Sequence, residues 1–215
     1  MTQTPVLRAF NITWTVMNQD TESYSQHRVK RNDELGRISI EEFKAHSKLP
    51  VTIVLDNVRS QHNIGSVFRT ADSFIMERVL LCGICATPPT AEIHKSALGA
   101  EFSVDWQYFN QTTDAVKELK EDGYTIVSIE QAENSASLER ATKEIYGDLS
   151  GSGVEKKVAL IFGNEVKGVS QPVVDASDYV IEIPQFGTKH SLNISVSAGM
   201  VLWEFCKALL IDRKK

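Results

Sequence analysis

The chain has 215 residues, 42% of them hydrophobic and 24% charged, with a formal net charge of -5. That is a globular composition, long enough for one domain with an extension, and it excludes a disordered chain. No apolar run reaches membrane-span length and MTQTPVLRAF lacks the pattern of a signal peptide, so a soluble, cytoplasmic protein is expected. The negative charge lies mostly beyond residue 100; the first hundred residues are nearly neutral and contain the basic cluster HRVKR (27–31) and Arg37, while Arg213, Lys214 and Lys215 end the chain. Such clusters can meet phosphates even on an acidic protein, or can be a solvated face.

Residues 1–50 show no sustained period and read as an extension. Ser39-Ile40-Glu41-Glu42 has the form of a capping box opening a short helix, and Pro50 ends the approach to the first strand. Six strand-length apolar runs follow: VTIVLD (51–56), RVLLCG (78–83), VDWQYF (104–109), YTIVSIE (124–130), KVALIF (157–162) and YVIEIP (179–184). Several are β-branched and nearly continuous, as strands covered on both faces require. Between them, Ile64, Val67, Phe68, Ala71, Phe74 and Ile75 keep the spacing of one helix face. TTDAVKELKEDG (112–123) reads as a helix from a Thr cap to Gly123, and SQPVVDAS (170–177) as a shorter one with Ser170 as cap and Pro172 in its first turn. The polar run 133–157, with its Gly-Ser-Gly, reads as a surface excursion holding one short helix. The expectation is an α/β fold with a mainly parallel six-stranded sheet and helices on both faces, spanning residues 51–215.

The last helix, ISVSAGMVLWEFCKALLI (194–211), is apolar nearly all round, with only Glu204 and Lys207 charged. One small sheet does not bury every face of such a helix, so a homodimer through it is expected.

Ligands of open parallel sheets bind beyond the carboxyl ends of the strands. Three post-strand loops here are rich in glycine and amides: NVRSQHNIG (57–65), GNEVKG (163–168) and PQFGTKHSLN (184–193). Gly163 and Gly168 have P-loop spacing, but Val169 stands where the phosphate-binding lysine belongs. No G-x-G-x-x-G follows a strand, which disfavours a nucleotide-binding oxidoreductase, and no G-x-S-x-G elbow is present. Cys82 and Cys85 have C-x-x-C spacing, yet a zinc site needs two more ligands and no second pair exists; cysteines buried at a strand end fit better.

The run Asn63 to Arg69, FGNEVKG at Phe162 to Gly168 and IPQFGTKHSLNISVSAG at Ile183 to Gly199 together resemble the three ordered motifs of the SpoU (TrmH-type) RNA ribose methyltransferases, in the SPOUT superfamily. The resemblance covers about residues 51–211. It implies a C-terminal trefoil knot, a homodimer, S-adenosylmethionine as cofactor, and methyl transfer to a ribose 2′-hydroxyl of structured RNA, tRNA or ribosomal; a single short domain without a dedicated RNA-binding module puts tRNA slightly ahead. Arg69 resembles the family's catalytic arginine, as a base or as an electrostatic clamp. Asn63, Glu165, Ser191 and Asn193 match the other catalytic positions; Asn63 also reads as a helix cap, and Ser191 and Asn193 as caps of the final helix. Leu160, Gly163, Ile183, Pro184, Ser191 and Leu192 match cofactor positions. Gln185 and Ser197 depart mildly from the family pattern, where Met and Ala are common. The alternative is an RNA-binding relative with the same fold and no catalysis, against which the intact Asn63, Arg69, Glu165 and Asn193 speak.

Overall fold

The computed structural model describes residues 27–146 and 156–210. The Gly-Ser-Gly run, the first 26 residues and the basic C-terminus lie outside these. The chain divides into two units, one ending at Ser47 and one beginning at Lys48.

In the first unit, Asn32–Glu34 forms a single 3-10 turn and α1 spans Ile40–Ala45. The capping box is complete: Ser39 Oγ accepts from Glu42 N at 3.1 Å and Glu42 Oε2 from Ser39 N at 2.7 Å. Two of the basic residues are already engaged, since the Arg28 guanidinium pairs with Glu34 at 3.1 Å and the Arg31 guanidinium stands 3.7 Å from the same carboxylate.

The second unit is built on strands β1 (Leu49–Asp56), β2 (Met76–Cys82), β3 (Asp105–Phe109), β4 (Thr125–Ile129), β5 (Ala136–Ser137), β6 (Val158–Phe162) and β7 (Tyr179–Glu182). They form one sheet in the order β3-β2-β1-β6-β4-β7-β5, and every pair is parallel. Among the described residues the sheet therefore has seven strands, not six. The missed strand, β5, is two residues inside the polar run after 133, too short to leave a period-2 signal. Pro50 lies inside β1 rather than ahead of it, where the register with β2 shifts between Leu49 and Thr52; a ladder tolerates a residue without an N–H at such an irregularity.

Helices cover both faces, because successive strand residues point to opposite sides. Val54, Leu80, Ile126, Ala159 and Ile161 pack with Ala115, Val116 and Leu119 of α5 (Thr112–Glu121) and Val173 of α7 (Gln171–Asp175). Their strand neighbours Ile53, Leu55, Val79, Leu81, Val127 and Leu160 face the other way and are equally buried. On that side lie α2 (Gln61–Ser73), α3 (Ala91–Ala97), α4 (Ala100–Ser103), α6 (Leu138–Tyr146) and α8 (Ile194–Leu210), with α2 meeting α3, α4 and α8. The short helix expected in the polar run is α6, and it is more than surface: Ala141, Ile145 and Tyr146 are buried, and Tyr146 meets Phe205 of α8 edge-on at 5.7 Å.

Three caps differ from expectation. Helix α2 is capped by Ser60, whose Oγ accepts from Asn63 N at 3.2 Å, so Asn63 is a first-turn residue and not the cap. Thr112 is inside α5 and Ser170 makes no side-chain cap, although it occupies that position of α7. Both hydroxyls are instead given to Asp56.

Candidate functional site

Strands β1, β6, β4 and β7 are consecutive in the sheet, so their carboxyl ends deliver four loops to one edge. The first is held by Asp56, the last residue of β1 and 1% exposed. Its carboxylate accepts from Asn57 Nδ2 (2.8 Å), Thr112 Oγ1 (2.5 Å), Ser170 N (2.8 Å) and Ser170 Oγ (2.8 Å). A buried charge without a cationic partner is tolerable only with such a full set of donors. Asp56 thereby ties the end of β1 to the starts of α5 and α7. Asn57 then takes φ +57°, a conformation asparagine adopts more readily than most residues, and its carbonyl accepts from Asn164 Nδ2 at 2.7 Å.

The loop after β6 closes on itself, with Asn164 and Gly168 exchanging backbone bonds at 2.9 and 2.8 Å and Asn164 Oδ1 accepting from Val166 N and Lys167 N. Gly163 is dictated by close approach: a Cβ there would collide with the Gly168 carbonyl carbon and Val169 nitrogen. This compact turn carries Glu165 to the N-terminus of α2. One oxygen accepts from Arg59 N (3.2 Å), the other from Ser60 N (3.1 Å) and Asn63 Nδ2 (3.2 Å). Partial burial pushes the Glu165 carboxyl up, but the backbone donors, its own N–H among them, and the Asn63 amide outweigh it and hold the pKa below the usual value. A carboxylate is also the complement of a helix N-terminus.

Asn63 passes the connection on. Its Oδ1 accepts from Asn193 Nδ2 at 3.2 Å, while Asn193 Oδ1 accepts from Ser195 N (2.9 Å) and Ser195 Oγ (2.6 Å), capping α8. Glu165, Asn63 and Asn193, 102 and 130 residues apart along the chain for the two bonds, thus form one hydrogen-bonded line across three loops.

Beside this line opens a cleft of about 500 Å³, within the range of small-molecule sites. Phe162, Ile183, Leu192 and Ile194 give it apolar wall; Glu130, Glu165, Glu182 and Lys167 give it charge. Of the residues singled out from sequence, Gly163, Glu165, Ile183, Ser191, Leu192 and Asn193 line it. Leu160 does not, being wholly buried inside the sheet between Ile53 and Val127, and Pro184 is not on the wall although both its neighbours are. Arg69 is exposed, two turns along α2 from Asn63, and its guanidinium has no hydrogen-bond or ion-pair partner among the described residues. It does not line the cleft.

Sequence reasoning missed the loop after β4. Glu130 accepts from Val169 N (2.8 Å) and Gln131 N (2.9 Å), and Gln131 Nε2 donates to His190 O (2.8 Å), fastening the 184–193 segment. The only signal was position, just past an apolar run. It missed Glu182 as well, hidden at the end of β7.

Cys82 and Cys85 are buried, and burial, the largest influence on each, pushes the thiols up to about 12 and about 11. Cys85 Sγ accepts from Val58 N and donates to Leu55 O, a structural role at the end of β2. Among the described residues, no group of three His, Cys, Asp or Glu side chains could hold a metal, and no helix is long and apolar enough to cross a membrane.

Known proteins share this architecture. The A. aeolicus TrmH/SpoU tRNA modifying enzyme superposes with a TM-score of 0.65 at 24% identity over 79% of this chain and 81% of its own, and the AdoMet-bound rRNA methyltransferase from Sinorhizobium meliloti with 0.64 at 24% over 77% and 62%. In sequence, the 23S rRNA (guanosine-2′-O-)-methyltransferases RlmB of Neisseria meningitidis serogroup B and Vibrio vulnificus are each 30% identical to it, over 79% and 86% of this chain and 63% and 70% of theirs. The chain spans about three-fifths of the length of the first curated relatives it matches. Residues 50–203, which carry all four loops and the hydrogen-bonded line between them, match the family described as SpoU rRNA Methylase, and the chain belongs to that family.

Proposed function

We propose that this protein transfers a methyl group from S-adenosylmethionine to a ribose 2′-hydroxyl of structured RNA. The observation that carries the reading is the Glu165–Asn63–Asn193 line beside a cleft of about 500 Å³, with polar and apolar walls suited to a nucleoside carrying an amino-acid tail. When bound, the cofactor supplies a methyl group activated by a sulfonium. Ile183 and Leu192 offer the apolar surface an adenine needs, Gly163 lets backbone come close, and Ser191 offers a hydroxyl. Pro184 stiffens that wall, and Leu160 acts through the strand that presents Phe162 and Gly163.

Arg69 acts as an electrostatic clamp. Guanidinium is not deprotonated in proteins, so it holds a phosphate beside the target ribose and stabilises negative charge growing on the hydroxyl oxygen. As the oxygen takes the methyl, the methyl–sulfur bond would break to leave S-adenosylhomocysteine, and the hydroxyl proton would pass to solvent. Asn63, Glu165 and Asn193 fix the helix that presents Arg69, and Ser191 completes the edge.

The protein works as a homodimer in the cytoplasm, through the face of α8 that exposes Val196, Met200 and Trp203 at 48%, 46% and 45%; the spacing of these residues puts them in one stripe. The trefoil knot belongs to the same reading, supported by a strand order that inserts β6 between β1 and β4 and β7 between β4 and β5. The residues before Lys48 form an extension to the methyltransferase domain and contact RNA through Lys30 and Arg37.

Calorimetry with S-adenosylmethionine, followed by labelled methyl transfer to total tRNA and to ribosomal RNA, tests this. Binding and transfer to at least one RNA pool are expected, with Arg69→Ala abolishing transfer and sparing binding. A chain that binds no S-adenosylmethionine would overturn the proposal.

A further inference from the structure

Among the described residues three carboxylates line the cleft, and two have both oxygens engaged. Glu130 gives its oxygens to Val169 N and Gln131 N; Glu165 gives its own to Arg59 N, Ser60 N and Asn63 Nδ2. Glu182 differs. It ends β7, and its carboxylate has no hydrogen-bond or ion-pair partner among the described residues, although it lines the cleft.

Its neighbourhood makes that freedom costly. The parallel register pairs Ser128 with Val180 and Ile129 with Ile181, which carries Glu130 and Glu182 to the same level of adjacent strands, and Glu130 N donates to Ile181 O at 2.9 Å. Lateral neighbours on a sheet stand close enough for like charges to repel. With Glu130 bonded through both oxygens at the same level of the next strand, Glu182 is left to take its donors from outside the protein.

We propose that Glu182 is a cofactor-binding residue whose carboxylate accepts hydrogen bonds from the ribose hydroxyls of S-adenosylmethionine. The inference rests on the methyl-transfer reading and adds a contact to it. Glu182 adjoins Ile183, part of the apolar surface offered to adenine, and the ribose is the group joined directly to adenine. The vicinal diol offers two donors and matches an acceptor-only carboxylate. A carboxylate just past a strand end fills this role toward riboses in other parallel-sheet proteins.

The test is calorimetry of the full chain with S-adenosylhomocysteine and with 5′-methylthioadenosine, which keeps the ribose but has no amino-acid tail. Glu182→Ala should weaken both ligands by the same factor, roughly 10- to 100-fold as expected for a lost charged hydrogen-bond pair. Glu182→Gln, which keeps an acceptor of the same size, should lose less and serves if the alanine variant does not fold. Unchanged affinity for both ligands would overturn the inference, as would a loss confined to S-adenosylhomocysteine, which would assign Glu182 to the tail ammonium. Absence of S-adenosylhomocysteine binding by the unaltered protein would instead overturn the cofactor reading itself.

Discussion

Asn63→Asp isolates the central bond of the site. The replacement is isosteric and keeps an oxygen able to accept from Asn193 Nδ2. It removes the Asn63 Nδ2 donor and puts a carboxylate oxygen where a nitrogen stood 3.2 Å from Glu165 Oε1. Two unit charges at that separation repel by about 1.3 kcal/mol in water and about 5 kcal/mol at an effective dielectric of 20. Glu165 is exposed and solvent screens the pair, so the lower part of that range applies, near 1–2 kcal/mol. The lost hydrogen bond adds about 1 kcal/mol, giving roughly 2–3 kcal/mol in all. Urea denaturation at pH 7 reads this directly. The pH dependence gives a second check. In the native protein the Glu165 pKa lies below 4.5, so the stabilisation is fully present above that pH and is lost as pH falls through the lowered folded value. In the variant, repulsion between the two carboxylates favours protonation of one of them, which restores a donor, so the penalty should shrink as pH falls through the carboxylate range. A penalty below about 0.5 kcal/mol at pH 7, or one that does not change with pH, would refute the assignment of this bond.

Gly163→Ala forces the loop after β6 away from the Gly168–Val169 backbone, and calorimetry should show S-adenosylmethionine affinity falling at least tenfold while the thermal midpoint drops by only a few degrees. With thiol pKa values pushed to about 12 and about 11, Cys82 and Cys85 carry almost no thiolate at neutral pH, so native protein should react with a thiol reagent far more slowly than denatured protein at pH 7.5. Trp203→Glu places a charge in the exposed stripe of α8; light scattering should show a monomer that keeps its helical circular dichroism, and an unchanged mass would reject that face as the interface.

Much of this was legible in sequence because the signals were local. Apolar β-branched runs gave six of the seven strands, and short polar residues directly after them marked the loops after β1, β6 and β7. What stayed hidden depended on pairing between distant segments. Asn63 reads as a cap until Ser60, three residues earlier, is seen to take that bond. Thr112 and Ser170 read as caps because nothing local reveals that a buried Asp56 claims both hydroxyls from 56 and 114 residues away. Helices α3 and α4 escaped notice because Leu98 and Gly99 take φ +53° and +96° between them, breaking any helical period. Glu130 and Glu182 become neighbours only through the β4–β7 register.

The chemistry of the line explains its composition. Ser195 donates to Asn193, Asn193 to Asn63, and Asn63 to Glu165, so every bond points the same way and ends on one carboxylate. A primary amide receives with its oxygen and donates with its nitrogen while remaining neutral, which suits two asparagines to stand between two helix N-termini and the single charge that serves them. A carboxylate in either amide position would add a like charge and remove a donor; a lysine would donate but receive nothing. Glutamine would keep the polarity but lengthen the reach by one methylene, moving α2 relative to α8. The line therefore fixes the spacing of the two helices as well as capping α8, and Arg69, nearly two turns along α2, inherits its position from that spacing.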